Sequence, residues 1–228
     1  MRKNLTLTFI YFLPILVIGQ DNGIDLVKLE KEVMTYKRLF SYADSLEIRG
    51  NVGQISESTI SIAKALDKQR PSDYFQKAIE MFDKRQYNDA SFLYSLGDLR
   101  YRYYNSANPK YSKSNDGALL ASFNYVLGEP IGYYLRSNAY NYIGLLKKCS
   151  DYLLTNDYAF YPKKKDPSKY LEQADRLNKL ITDLETNKKT YQETWDKQRL
   201  DFDKTLDSFL EQVKKKWRVK KACAQQNA

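Results

Sequence analysis

The feature that most constrains the fold of this chain is an uninterrupted helical pattern from Tyr170 to Trp217. No glycine or proline falls in this span, and apolar residues return every three or four positions, with a stutter near Phe202. A single straight helix of this length would measure about 72 Å, whereas a compact chain of this size has a diameter of about 42 Å. We therefore expect a C-terminal helical hairpin over residues 167–213 with a break or bend at Thr186–Lys189, or else an extended coiled coil.

A second seam with the same rhythm lies near the start of the chain. We expect an N-terminal helix within residues 20–50, ended by Gly50 and Gly53. Its seam could pack against the C-terminal one, or another copy of the chain could pair there and form a homo-oligomer through the C-terminal helix. The seam residues are Leu26, Leu29, Val33, Tyr36, Phe40 and Ala43.

Between the two seams, residues 67–156 have the pattern of a compact helical bundle. Ser72 is expected to cap a helix, the helix over 89–104 is apolar nearly all round and therefore central, and Gly128 is expected to end a third helix. The polar, β-branched segment 56–61 is interpreted as a loop or a frayed turn. Strand signals are weak throughout. The predicted class is all-α, a helical bundle with long heptad-patterned N- and C-terminal helices.

Residues 72–104 resemble one helical hairpin of the tetratricopeptide family, which places small residues where two helices cross and aromatic residues as wedges. The family pattern has a glycine in the first helix at the position where this chain has Ile79. No second copy of the hairpin follows at a period of about 34 residues. The resemblance implies binding of a protein or peptide rather than catalysis. The matching residues are Ala78, Phe82, Tyr87, Ala90, Tyr94 and Gly97.

Residues 1–19 have the layout of a secretory signal peptide. Two basic residues precede the apolar stretch 5–18, and cleavage is predicted between Gly19 and Gln20. That stretch is shorter than the roughly 20 residues that a spanning helix needs, so we expect cleavage, with a membrane anchor as the alternative. The expected location is the periplasm or the cell exterior of a bacterium.

Positive charge is concentrated near the end of the chain. The formal net charge is +9, yet the segment 214–221 is strongly basic and no acidic residue follows Glu211. A nucleic-acid-binding domain would carry its excess charge on a folded face. We instead expect residues 214–228 to form a solvated basic tail, which could bind an anionic polymer or glycan. The candidate residues are Lys214, Lys215, Lys216, Arg218, Lys220 and Lys221.

The residue types on which most enzymes depend are scarce. Histidine is absent, which excludes histidine-based triads and histidine metal ligands. No glycine spacing matches a dinucleotide or Walker motif, so we expect no nucleotide, cofactor or metal. Cys149 and Cys223 could form a disulfide in an oxidising compartment, although Cys149 also fits a small core residue. We expect a protein that binds and does not catalyse.

The segment 99–104 alternates arginine with tyrosine, a composition that suits stacking on sugars, bases or the anchor residues of a partner. The alternative is that its tyrosines pack inward while its arginines pair with Asp89 or Asp98. The candidate binding residues are Arg100, Tyr101, Arg102, Tyr103 and Tyr104.

These patterns together predict an exported, non-catalytic interaction protein whose partner is another protein. It would serve as an adaptor or scaffold at the cell envelope, or as an immunity-type inhibitor of a secreted toxin. The alternative is a binding module for an anionic polymer or glycan, which would use the arginine and tyrosine segment and the lysine-rich tail.

Overall fold

The computed structural model describes residues 26–108, 110 and 115–226, so the predicted signal peptide lies outside it. Every regular element in these residues is helical, and the predicted all-α class is confirmed. A π-helical turn over Asn124–Gly128 joins α5 to α6, and a 3-10 turn over Lys163–Lys165 precedes α8. The α-helices are α1 (Leu26–Asp44), α2 (Glu57–Leu66), α3 (Pro71–Asp83), α4 (Tyr87–Ala107), α5 (Asn115–Phe123), α6 (Glu129–Arg136), α7 (Ala139–Thr155), α8 (Pro167–Thr186) and α9 (Lys188–Gln226).

Helix α4 lies at the centre of the bundle, as its apolar sequence predicts. It packs against α3, α6, α7 and α8, and Phe92, Leu93 and Leu96 are completely buried. The crossing with α3 is close, because a Cβ atom at Gly97 would lie 2.8 Å from the Cβ of Tyr74. A central helix of this kind must bury side chains on all of its faces.

The main core extends beyond residues 67–156 at both ends. Leu39 and Leu46 enter it from α1 and the turn that follows, and Leu177, Ile181 and Leu184 enter it from α8. Helix α8 packs against α4 and α7. It is therefore a member of the bundle, and its apolar stripe is covered by its neighbours in this chain.

The long C-terminal pattern breaks at Asn187, inside the segment where a break is predicted. Helix α8 ends at Thr186 and α9 begins at Lys188. The side-chain amide of Asn187 donates to the Asp183 carbonyl at 3.1 Å, and the Tyr191 hydroxyl donates to the Asp183 carboxylate at 2.6 Å. These contacts connect the side chains of Asn187 and Tyr191 to the last turn of α8.

Helix α9 pairs with α1 in an antiparallel arrangement. Lys37 forms ion pairs with Asp203 at 2.8 Å and Asp207 at 2.7 Å, while Asp44 binds Arg199 through both carboxylate oxygens at 2.6 Å. Residue numbers thus rise along α1 as they fall along α9. The two seams of one chain meet here, whereas a homo-oligomer through α9 stays a prediction. A small second core between them contains Val33, Phe40, Phe202 and Leu206.

Two interpretations of helix starts are wrong. Helix α2 occupies the segment interpreted as a loop: the Ser56 hydroxyl accepts the Thr59 amide at 3.3 Å, and the face containing Ala63 and Leu66 is buried. In α3 the first helical residue is Pro71, and the N-cap position belongs to Arg70 without a side-chain hydrogen bond. Proline is preorganised for the first turn and has no amide hydrogen to cap, so Ser72 falls inside the helix.

The expected end of a helix at Gly128 is also wrong. The chain continues from α5 through the π-helical turn into α6 without leaving a helical conformation, and Gly128 has φ −64°. A glycine that ends a helix generally adopts a positive φ. The glycine serves a contact across the bundle instead, as described with the site below.

Asn88 fixes the turn that follows α1. Its amide nitrogen donates to the carbonyls of Asn51 at 2.9 Å and Gln54 at 2.8 Å. Its amide oxygen accepts the Tyr134 hydroxyl at 2.7 Å and the Asn141 amide at 2.9 Å. Four bonds use the full hydrogen-bonding capacity of one side-chain amide, so the turn is held against α4, α6 and α7 together.

The same turn touches α7 through two glycines. Gly53 has φ +64°, its amide donates to the Asn141 side-chain oxygen at 2.7 Å, and a Cβ atom at Gly144 would lie 2.9 Å from the Gly53 Cα. Both backbones meet without side chains between them, so neither position has room for a larger residue.

Among the described residues, no helix is both long enough and apolar enough to cross a bilayer.

Candidate functional site

The predicted arginine and tyrosine segment lies at the end of α4, where Arg100 is buried rather than exposed. Only 1% of its surface is accessible. Its guanidinium forms an ion pair with Asp67 at 2.9 Å, donates to the Asn156 carbonyl at 3.2 Å and lies over the Tyr158 ring at 5.0 Å. Arg100 is therefore a core residue, and the hypothesis that it contacts a ligand is corrected.

Asp67 is the centre of this buried polar cluster, and sequence reasoning missed it. It accepts the Tyr74 hydroxyl at 2.8 Å and the Tyr152 hydroxyl at 2.7 Å, besides Arg100. Burial, and then the neighbouring carboxylate, raise the pKa of both phenols well above the usual range. One signal could have indicated Asp67: an arginine inside an apolar helix needs a buried anionic partner.

The other members of the segment divide between core and surface. Tyr101 and Tyr103 are buried, and the Tyr103 hydroxyl donates to the Pro162 carbonyl at 3.1 Å. Tyr104 is half-buried and packs against Phe160. Arg102 is exposed and forms an ion pair with Asp98 at 2.6 Å, as the alternative interpretation predicts. Within the segment, the Arg102 side chain is therefore accessible to a ligand, whereas Tyr101 and Tyr103 are core residues.

Arg102 stands at the edge of a groove that we call the α4–α8 groove, formed by α4, α6, α7 and α8. The groove has a volume of about 390 Å³, within the range that binds small ligands or single side chains. Its outer edge includes Arg102, Arg176 and Leu180, which are all exposed. Its floor consists of four buried aliphatic residues, Ile131, Leu135, Leu146 and Leu177.

Two acceptor atoms at the wall of the groove lack a hydrogen-bond partner among the described residues. They are Oδ1 of Asp98, whose other oxygen binds Arg102, and Oε1 of Gln173, which is 4% exposed. A buried acceptor without a donor costs about 1–3 kcal/mol. No sequence pattern indicates this pair, because Asp98 and Gln173 come together only through the packing of α8 on α4.

The π-helical turn shapes one end of the groove. The Tyr94 hydroxyl donates to the Asn124 side chain at 2.7 Å and lies so close to Gly128 that a Cβ atom there would clash with it. Burial, and then Asp98, raise the pKa of Tyr94, so its phenol stays protonated. π-Helical turns occur often at functional sites, and in this one the glycine makes room for the Tyr94 hydroxyl beside the groove.

The predicted basic tail is a continuation of α9, which extends to Gln226. We call residues 214–221 the basic end of α9. Lys214 to Arg218 are exposed, including Trp217 at 38%, while the side chains of Lys220 and Lys221 lie outside the described residues. The charges of Lys214 to Arg218 therefore project from an exposed stretch of helix, and their binding of a ligand stays a prediction.

The side chains considered for covalent or metal chemistry are buried or absent in the part of the chain that the structure describes. Cys149 is a free thiol, completely buried, and burial raises its pKa. The side chain of Cys223 lies outside the described residues. No cluster of three or more cysteine, aspartate or glutamate side chains there is placed to hold a metal ion. Cys149 fits the role of a core residue.

Comparison with protein-family models, with curated protein sequences and with solved structures yields no match to this chain.

Proposed function

We propose that this protein is an exported, non-catalytic binding protein whose α4–α8 groove holds an apolar side chain of a partner protein. The groove itself carries the proposal, because four buried aliphatic residues form its floor and two exposed arginines stand at its edge. An apolar pocket with a few polar groups around it is the usual form of a binding site. The resemblance of residues 72–104 to a peptide-binding hairpin supports the same class, since that hairpin includes the α4 wall.

The edge of the groove favours a partner segment with acidic residues beside its apolar anchor. Arg102 and Arg176 form ion pairs on their own helices, with Asp98 and Glu172 at 2.6 Å each. The Arg176–Glu172 pair is exposed, and pairs of this kind contribute only about 0–1 kcal/mol, so an incoming carboxylate can replace Glu172 at little cost. Such a segment would present a leucine or phenylalanine flanked by aspartate or glutamate.

Two synthetic peptides test this proposal. One carries a Leu-Phe core between glutamates and the other carries the same core between lysines, both with blocked termini. Because the apolar core is shared, a difference in binding reports the arginines at the edge. We expect fluorescence anisotropy to show binding of the acidic peptide and much weaker binding of the basic one.

A matched pair of variants locates the binding. Leu180→Glu places a charge at the edge of the groove, whereas Leu171→Glu places the same charge on an exposed position of the same helix outside the groove. We expect Leu180→Glu to abolish binding of the acidic peptide and Leu171→Glu to preserve it. Equal binding by the two variants would contradict the groove as the site.

Export is a separate part of the proposal, supported by the signal-peptide pattern of residues 1–19. Intact-mass measurement of the protein isolated from its own cells should give a chain that begins at Gln20. A mass that retains residues 1–19 would instead support the membrane-anchor alternative.

A further inference from the structure

The basic end of α9 differs in charge from the rest of that helix. Between Lys188 and Val213, acidic and basic residues are nearly balanced, whereas residues 214–226 contain six basic residues and no acidic one. Lys214, Lys215 and Lys216 are consecutive and all exposed. Consecutive residues of an α-helix project about 100° apart, so positive charge surrounds the helix instead of forming one stripe. Charge on all sides suits an approach with the end of the helix leading.

The antiparallel pairing brings the start of α1 to the same place. Phe40 packs against Phe202 with ring centroids 6.1 Å apart. The number of residues from Phe40 back to Leu26 equals the number from Phe202 forward to Lys216, and both helices rise by the same amount per residue. Leu26 therefore lies level with the basic end of α9. The start of α1 and the basic end of α9 thus lie at one end of the α1–α9 pair.

Trp217 adds an interfacial residue between two cations. It lies between Lys216 and Arg218 and is 38% exposed. Tryptophan prefers the boundary between water and lipid, and basic residues near an anionic bilayer each contribute about 1 kcal/mol of attraction. Insertion of Trp217 at the lipid boundary adds an apolar contribution that attraction of the lysines to a soluble anionic polymer would not supply.

From these three observations we propose that the basic end of α9 docks on an anionic phospholipid surface, with the α1–α9 pair approaching end-on. Docking there would place the bundle and its α4–α8 groove away from the bilayer, where a partner can reach the groove. The proposal does not depend on what the groove binds.

The test uses the chain beginning at Gln20 and two kinds of vesicle, phosphatidylcholine alone and phosphatidylcholine containing phosphatidylglycerol. We expect the protein to co-sediment with the vesicles that contain phosphatidylglycerol and not with pure phosphatidylcholine. Its affinity for the anionic vesicles should fall as added salt screens the charges. Binding to both kinds of vesicle with equal affinity would overturn the proposal.

Two variants with equal loss of charge identify the surface. One replaces Lys214, Lys215 and Lys216 with glutamine, and the control replaces Lys163, Lys164 and Lys165, which are also three consecutive exposed lysines. The first should lower the affinity for anionic vesicles about 100-fold, because three charges near the surface are lost. The control should bind like the unmodified chain. If both variants lost affinity for anionic vesicles equally, the attraction would depend on net charge alone, and the basic end of α9 would be overturned as the docking site.

Fluorescence and a soluble polymer distinguish lipid from other polyanions. The chain has two tryptophans, so a blue shift on vesicle binding that disappears in Trp217→Phe assigns the shift to Trp217. Persistence of the full shift in that variant would overturn the proposed contact. Heparin serves as the soluble polyanion, and tighter binding to heparin than to the anionic vesicles would overturn the lipid assignment in favour of a polymer site.

Discussion

At the scale of single residues, the ion pair between Arg100 and Asp67 is notable because both partners are almost completely buried. Asp67 is 3% exposed and Arg100 1%, and the carboxylate also accepts two tyrosine hydroxyls. A buried pair adds little net stability compared with apolar residues, but removing one partner leaves an uncompensated charge in the interior. The contribution of each residue to the stability of the fold therefore depends on the presence of the other.

We expect Arg100→Met and Asp67→Asn each to lower the free energy of unfolding by about 3–5 kcal/mol. The double variant should lose clearly less than the sum of the two, because no charge is then left unpaired. Urea denaturation followed by circular dichroism measures all three values. Arg176→Met is the control, since it removes an exposed pair with Glu172 and should cost less than about 1 kcal/mol. Additive losses for Arg100 and Asp67 would contradict the coupling.

Sequence reasoning could reach part of this residue-level picture. The pairing of Arg102 with Asp98 follows from helical spacing, because the two residues are one turn apart. The pairing of Arg100 with Asp67 does not, since the partners come from distant parts of the chain and meet only when the end of α2 packs against α4. For the same reason, no local sequence pattern predicts the positions of Gln173 and Gly128 at the α4–α8 groove.

At the scale of elements, the α1–α9 pair depends on one aromatic residue. Phe202 is 1% exposed, stacks on Tyr133 with ring centroids 4.5 Å apart, and meets Tyr36 and Phe40 edge-on. Phe40 and Phe202 belong to the second core, and Tyr36 packs against both that core and the main one. Loss of Phe202 should therefore loosen this pair before it loosens the main bundle.

We expect Phe202→Ala to lower the free energy of unfolding by about 3–5 kcal/mol, because it leaves a cavity in the second core. Hydrogen exchange should accelerate in α1 more than in α3 and α4. Leu200→Ala is the control, because Leu200 lies on the same helix and is 57% exposed. A uniform acceleration across α1, α3 and α4 would show that the two cores unfold as one.

Helix boundaries show which element-level features a sequence can reveal. The break at Asn187 and the N-cap at Asp166, whose side chain accepts the Lys169 amide at 3.2 Å, both depend on neighbouring residues. The π-helical turn at Asn124–Gly128 depends on contact with Tyr94 from another helix. Local patterns therefore predict the first two and cannot predict the third.

At the scale of the whole molecule, tyrosine dominates the response to pH. The chain contains 20 tyrosines and no histidine. Burial raises the pKa of Tyr103 to about 12 and raises those of Tyr74, Tyr134 and Tyr152 further. An unfolded tyrosine ionises near pH 10. The stabilisation from these neutral phenols is thus complete below about pH 10 and disappears as the pH rises through their folded values.

We expect cooperative unfolding to begin between about pH 10 and pH 12, with tyrosinate absorbance and loss of helical circular dichroism rising together. The neutral range serves as an internal control, because without histidine the stability should stay nearly constant from about pH 6 to pH 8. Complete ionisation of the tyrosines while the helical signal stays unchanged would contradict the assignment of these phenols to the core.

Asn88 has a consequence for the lifetime of the folded state. Its four partners belong to the turn after α1, to α6 and to α7, and they lie between 34 and 53 positions away along the chain. The four bonds require these parts to be docked on α4, so we expect them to form late in folding, after the rate-limiting step. Bonds that form after the rate-limiting step slow unfolding and leave the folding rate nearly unchanged. One side-chain amide should thus govern how long the bundle persists far more than how quickly it assembles.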